Sequence, residues 1–300
     1  MNTFINWLGS SFAPKVAKAM DKKIIRTLSG ALMANVPILL LGSIISIYNL
    51  LAGYVSFLPD LSPVYNFSFG IMSLTLVFLV GYHGAKEYGF KDYGVSTGLI
   101  ALMMFFMVIK PSIADFQFQV AFGRFGGSGM ISAFFAGIVT IVISNLYFKL
   151  HLFEDSVSLP DFLIRWLNQV IPGIIVLVLT TILIYWCNID LFELITKLFS
   201  PLISIGQTYP GFYALYLYTG ILLFIWYQQL VMNPITSPIG LAGITANAAA
   251  FEQGLQPTNI YTSNVTFSVI FIGGMGMTLA LNIMMLNPAV RESGSSDRLL

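Results

Sequence analysis

Long apolar runs separated by short polar stretches organise this chain from end to end. A membrane-crossing helix needs about 20 mostly apolar residues. On that measure the pattern predicts spans near 27–50, 67–83, 95–109, 126–148, 170–189, 211–232 and 262–286. Residues 190–206 read differently. Leu191, Leu194, Ile195, Leu198 and Phe199 recur at helical spacing with Asp190, Glu193 and Lys197 between them, so an amphipathic or interfacial helix is expected. The run 239–251 (IGLAGITANAAAF) is small and apolar but too short to cross, the profile of a re-entrant hairpin. The expected fold class is an all-α integral membrane protein. It is a polytopic helix bundle with about seven to eight membrane segments, an amphipathic helix and a re-entrant hairpin. An amphipathic N-terminal segment (1–26), a transmembrane domain (27–286) and a polar C-terminal tail (287–300) are expected.

Composition removes whole classes of function. Of the 300 residues 57% are hydrophobic and 9% charged, against roughly 25% charged in soluble domains. A soluble enzyme is therefore excluded as the default. The net charge of +1 gives no reason to expect nucleic acid as a partner. Cys187 is the single cysteine and makes no intrachain disulfide. His83 and His151 are far apart and lack metal-ligand spacing, so neither a metal nor a cofactor is expected. The first 26 residues do not follow a cleavable signal pattern.

Basic residues suggest an orientation. Lys15, Lys18, Lys22, Lys23 and Arg26 precede the first span, Lys86 and Lys91 follow the second, and Lys149 and Arg165 follow the fourth. Lys110 and Arg124 lie in the loop near 110–125. Placing the N-terminus in the cytoplasm puts nine of these inside and two outside. The segment Asp21 to Arg26 suits an anionic lipid surface, so the bilayer is itself a partner.

Two polar stretches interrupt the apolar pattern where charge is scarcest. Between Lys197 and Arg291 the one ionisable side chain apart from tyrosine is Glu252. Within it, WYQQLVMNPITSP (Trp226 to Pro238) carries Gln228, Gln229, Asn233, Pro234 and Pro238. Adjacent glutamines point about 100° apart on a helix, so both must face protein or water. The prolines break the helix. A broken helix lining a polar cavity is one reading, since transporters build substrate sites at such breaks. An interfacial helix end followed by an ordinary loop is the other. The second stretch, NIYTSNVTFS (259–268), offers Thr262 and Asn264 among neutral hydroxyls and amides. Such groups suit a neutral polyhydroxylated ligand, because each sugar hydroxyl both donates and accepts. A polar loop leading into the last span is the alternative. Gln228, Gln229, Asn233, Asn247, Thr262 and Asn264 are the candidate substrate-binding residues. The glycine-rich run at 273–276 reads as close helix packing, and no catalytic triad or self-contained catalytic site is visible.

Several stretches then resemble one family. They include IIRTLSGALMANVPILLLGSI (24–44), GYHGAKEYGFKDYGVSTGLIALMMFFMV (81–108), FGRFGGSGMISAFFAGIVTIVISNLYFKLHL (122–152), DSVSLPDFLIRWLNQVIPG (155–173), NPITSPIGLAGITANAAAFEQG (233–254) and IGGMGMTLALNIMML (272–286). Together, and in order, they resemble phosphotransferase-system sugar permeases, the enzyme IIC component, of the lactose/cellobiose/diacetylchitobiose group. The resemblance implies a membrane-embedded sugar pocket, for a β-linked disaccharide. It implies a cytoplasmic partner, enzyme IIB, whose phosphocysteine phosphorylates the sugar on delivery, and it implies a homodimer and a bacterial plasma membrane. Two departures stand out. The family's pocket histidine falls on Val231, and the family's Asn-Glu-Pro segment has no counterpart before residue 300. A non-transporting scaffold or regulatory subunit, one half of a split permease, and a facilitator without phosphorylation are the alternatives these departures motivate.

Overall fold

The computed structural model describes residues 10–11, 14–15, 18, 21–54, 57–114, 117–153, 160–206, 208–224, 239–240, 243–244, 246–247, 256 and 258–262. The chain divides into two compact units, one of residues 14–201 and one of residues 1–13 and 202–300.

In the larger unit the apolar runs become helices. The run opening at Lys23 gives α1, Lys23–Ala52, with Pro37 inside it. A short helix α2, Ser62–Asn66, and a 3-10 turn lead into α3, Met72–Tyr88. Gly89 closes α3 at φ +98°, the left-handed cap that glycine adopts without a Cβ penalty. A second 3-10 turn, Lys91–Tyr93, opens α4, Gly94–Val108. Two three-residue strands follow, β1 (Ser112–Ala114) antiparallel to β2 (Gln117–Gln119), with Ser112 opposite Gln119. Two glycine-bearing turns then start α5, Met130–Phe148. Helix α6, Asp161–Thr181, continues into a π-helical turn, Ile182–Trp186. Helix α7, Leu191–Ile205, carries the chain out of this unit, and α8, Tyr209–Phe224, follows.

Side-chain contacts set the direction of each helix. Arg26 pairs with Glu87, and Lys23 lies over the Tyr88 ring at 5.3 Å. The Tyr147 hydroxyl donates to Asn168 Oδ1 at 2.9 Å, and Asn168 Nδ2 donates to the Tyr93 hydroxyl at 3.3 Å. Phe148 stacks on Phe90 and Tyr93. The starts of α1, α4 and α6 therefore share one end of the bundle with the ends of α3 and α5, an up-and-down arrangement. Its core is built around Val77, Ala101, Phe105, Ala133, Val176 and Ile184. Where α3 crosses α4 the backbones touch. A Cβ on Gly81 would meet the Gly98 Cα and the Thr97 carbonyl oxygen at 2.8 Å. Small residues permit such approach in membranes, where van der Waals packing replaces hydrophobic drive.

Around this core Leu40, Ile44, Leu99, Leu146 and Val178 face outward. Exposed leucine and isoleucine on every side is what a lipid-facing surface requires. Among the described residues five helical stretches are long and apolar enough to cross a membrane: Lys23–Gly42, Ser62–Tyr88, Lys91–Val108, Gly127–Phe148 and Asp161–Trp186.

Three differences from the sequence reading have physical causes. The fifth predicted span begins as helix α6 at Asp161 rather than at 170, because Pro160 takes an extended conformation (φ −64°, ψ 144°) at the N-cap and the polar residues beyond it continue as helix. A β-hairpin interrupts the all-α pattern between α4 and α5. The predicted span 211–232 is helical from Tyr209 to Phe224, and its remainder, like the predicted span 262–286 apart from Thr262, lies outside the described residues.

The two basic residues that violated the orientation count are both engaged. Arg124 Nη1 donates to the Ile109 carbonyl at 2.6 Å, and its guanidinium lies 4.5 Å from the Phe192 ring centroid. Lys110 Nζ donates to Asn188 Oδ1 at 3.2 Å. Both cations thus knit together the end of the bundle opposite the start of α1.

Candidate functional site

Of the six candidate residues, Gln228, Gln229, Asn233 and Asn264 lie outside the described residues, as do Val231 and the two prolines at 234 and 238. Asn247 and Thr262 are described, and they belong to one cluster.

Gly243, Asn247, Asn259, Tyr261 and Thr262 form it. Asn247 Nδ2 donates to the Asn259 carbonyl at 2.9 Å. Asn247 Oδ1 accepts from the Asn259 backbone N–H at 2.9 Å and from its Nδ2 at 3.2 Å. One carboxamide thereby satisfies both backbone groups of a residue 12 positions away, as a neighbouring strand would. The half-buried Asn247 amide is committed to holding Asn259 in place. Directly beside it a Cβ on Gly243 would meet the Tyr261 carbonyl oxygen at 2.6 Å and Thr262 Cγ2 at 3.5 Å. Only glycine allows the helical turn to lie so close to that backbone.

Tyr261 and Thr262 are buried. The Tyr261 N–H donates to the Gly206 carbonyl at 2.9 Å, and its ring meets Phe212 edge-on at 6.3 Å. The end of α7 and the first turn of α8 therefore seat the segment 259–262. At the mouth of α8 the Thr208 hydroxyl accepts from the Gly211 N–H at 3.2 Å, an N-cap bond.

Asn259 belongs to the polar stretch 259–268 but is not among the six candidates. It sat in a polar run with nothing to separate it from its neighbours, and its link to Asn247 skips 12 residues. Chemically the cluster offers amide and hydroxyl groups without a carboxylate or a cation. Such a set recognises a neutral ligand by hydrogen bonds rather than an ion by charge. No group of histidine, cysteine, aspartate or glutamate able to hold a metal occurs among the described residues.

Comparison with known proteins agrees with this architecture. The family model described as "Phosphotransferase system, EIIC" matches residues 29–292. The chain is 22% identical to the PTS system lactose-specific EIICB component of Staphylococcus haemolyticus, over 95% of this chain and 52% of that protein. It is 26% identical to the PTS system cellobiose-specific EIIC component of Geobacillus stearothermophilus, over 100% of this chain and 73% of that protein. The chain spans about half the length of the lactose-specific relatives it matches. Its fold is similar to the crystal structure of the transporter ChbC, the IIC component from the N,N'-diacetylchitobiose-specific phosphotransferase system. The TM-score is 0.79 at 20% identity, over 96% of this chain and 74% of that one. With a family match running from the first helix nearly to the last residue, and a helical bundle clad in outward-facing leucine and isoleucine, the chain belongs to the phosphotransferase-system EIIC family of membrane permeases.

Proposed function

We propose that this chain is the membrane permease component of a phosphoenolpyruvate-dependent sugar phosphotransferase system, binding and translocating a β-linked disaccharide. The observation that carries this reading is the uncharged amide and hydroxyl cluster of Asn247, Asn259 and Thr262, in a family whose similar members are named for lactose, cellobiose and diacetylchitobiose. All three are β-linked disaccharides, neutral and rich in hydroxyls. Gln228, Gln229, Asn233, Asn247, Thr262 and Asn264 line the sugar site. Asn247 acts there as a positioning residue, because its amide is spent on Asn259. Enzyme IIB is the cytoplasmic partner, and its phosphocysteine supplies the phosphoryl group. With Val231 at the position of the family's pocket histidine, no imidazole is supplied there.

The protein crosses a bacterial plasma membrane in seven to eight segments, as a homodimer, with the amphipathic α7 along the membrane–water interface and a re-entrant hairpin around 239–251. Its N-terminus is cytoplasmic. Lys22, Lys23, Arg26, Lys86, Lys91, Lys149 and Arg165 gather at the end of the bundle where α1 begins, which supports that orientation.

Calorimetry on the purified protein in detergent, across a panel of β-linked disaccharides, tests the reading. Saturable binding weakened by both Gln228→Ala and Asn233→Ala is the expected result. No binding across the panel, from protein shown to be folded, rejects the transporter and leaves the scaffold or split-permease reading.

A further inference from the structure

The first turns of α6 present an unusual surface. Asp161, Phe162, Arg165, Trp166 and Gln169 are all exposed and share one face of the helix. Phe162 is 73% exposed and Trp166 57% exposed. Lys149 and Leu150, directly after α5, are exposed too. The Tyr147–Asn168 hydrogen bond brings those two helix ends to the same end of the bundle.

Helix length fixes the depth of this face. Trp166 and Trp186 are both strongly exposed, and they stand at opposite ends of one continuous helical stretch. At about 1.5 Å per residue they are about 30 Å apart, which is the thickness of the hydrocarbon core. Exposed tryptophan favours the boundary between hydrocarbon and headgroups. With the two tryptophans at the two boundaries, the stretch Asp161–Arg165 projects about 7 Å further, into the headgroup layer. An exposed phenylalanine at that depth has the upper acyl groups within reach of its ring.

The charges at this depth are open. Among the described residues Arg26 pairs with Glu87, and Arg124 is bound to the Ile109 carbonyl and the Phe192 ring. Among the described residues Arg165 has neither an ion pair nor a hydrogen bond, even to Asp161 one turn away, and neither does Lys149. An arginine fork matches two oxygens of a phosphodiester. A second cation at the same end of the bundle tips the preference toward a lipid with net negative charge.

We propose that this face binds the headgroup of an anionic phospholipid. Arg165 grips the phosphodiester, Lys149 supplies the second positive charge, and Phe162 and Trp166 pack against the glycerol and upper acyl chain. The inference rests on membrane insertion alone and stands apart from the sugar reading.

The test is native mass spectrometry of the full chain released from detergent after addition of phosphatidylglycerol or acyl-matched phosphatidylcholine. Wild-type protein is expected to retain phosphatidylglycerol preferentially. Arg165→Gln is expected to weaken the first retained phosphatidylglycerol about fivefold, the effect of one basic residue at an anionic surface. Lys149→Gln acts in the same direction and covers the case in which the arginine variant folds poorly, which thermal unfolding would reveal. Lys86→Gln, exposed at the same end of the bundle, is expected to leave retention unchanged. Equal retention of both lipids by wild type, or unchanged retention in both variants, overturns the proposal. A shift in the monomer–dimer ratio with lipid retention intact overturns it too, and assigns the face to a second copy of the chain.

Discussion

Arg124 offers the sharpest test of how the larger unit is held together. Its guanidinium donates to the Ile109 carbonyl, and Ile109 is fully buried at the end of α4, where water cannot substitute for the lost donor. A hydrogen bond to a charged group contributes about 1.5–3 kcal/mol. The stacking on Phe192 adds about 0.5–2 kcal/mol, according to how dry the contact is. Arg124→Met keeps bulk but removes both, and a loss of about 2–4 kcal/mol is expected, since the two terms share one group and do not simply add. At roughly 2–4 °C per kcal/mol for a unit of this size, the unfolding midpoint in detergent should fall by about 4–16 °C. Intrinsic tryptophan fluorescence follows the transition without labelling the exposed Cys187. Arg124→Lys should fall between the two, because an ammonium keeps the charge yet loses the planar fork. If Arg124→Met melts within about 1 °C of wild type, corresponding to less than roughly 0.5 kcal/mol, the Ile109 carbonyl does not depend on this side chain and the start of α7 is anchored by other means.

Three further outcomes follow from described geometry. Gly81→Ala places a methyl against the Gly98 backbone, so α3 and α4 must separate at a cost of about 1–3 kcal/mol; detergent unfolding with an undiminished midpoint would contradict the close crossing. Asn247→Asp keeps the acceptor for the Asn259 N–H but sets an anionic oxygen against its carbonyl, and sugar affinity should fall about tenfold, the equivalent of about 1.4 kcal/mol; calorimetry showing unchanged affinity would remove Asn247 from the site. The Asp60 carboxyl is held below its ordinary value by the Ser62 hydroxyl and then by the Ser62 backbone N–H. A depressed acid stabilises the fold fully above its unfolded value, about 3.9, and the effect is lost as pH falls through the folded value. The stability gap between wild type and Asp60→Ala should therefore hold steady above about pH 5 and close on acidification; a gap that widens in acid refutes the assignment.

Much of the bundle was legible because a chain in lipid must satisfy every backbone group within helices. Uninterrupted apolar length alone located α1, α3, α4 and α5, with the ends of α3 five residues from their expected places. The start of α6 was not legible, because Asp161, Arg165, Asn168 and Gln169 break the apolar run and Pro160 reads as loop punctuation. Proline at a helix entrance and polar residues split between headgroup depth and a tyrosine pair account for that pattern once the neighbours are known. Lys110 and Arg124 looked like plain exceptions to an orientation rule. Their partners Asn188 and Phe192 lie far along the chain, and no local pattern announces them. The same limit applied to the candidate site. Asn247 stands out in the sequence only as a polar residue in an apolar run; its bond to Asn259 makes it a brace, and a side-chain clasp across 12 residues leaves no periodic trace.

The late arrival of those partners has a consequence for biosynthesis. Asn188 emerges 78 residues after Lys110, and Phe192 follows Arg124 at a similar remove. While the nascent chain is threading into the bilayer, the connection between α4 and α5 carries two bare cations. They are sheltered only when the end of α6 and the start of α7 have been made. On the proposed orientation, the larger basic cluster around the start of α1 would act before the fold can compensate. A chain halted before residue 188 would keep both charges exposed, and the α4–α5 connection is where quality-control proteases should find it first.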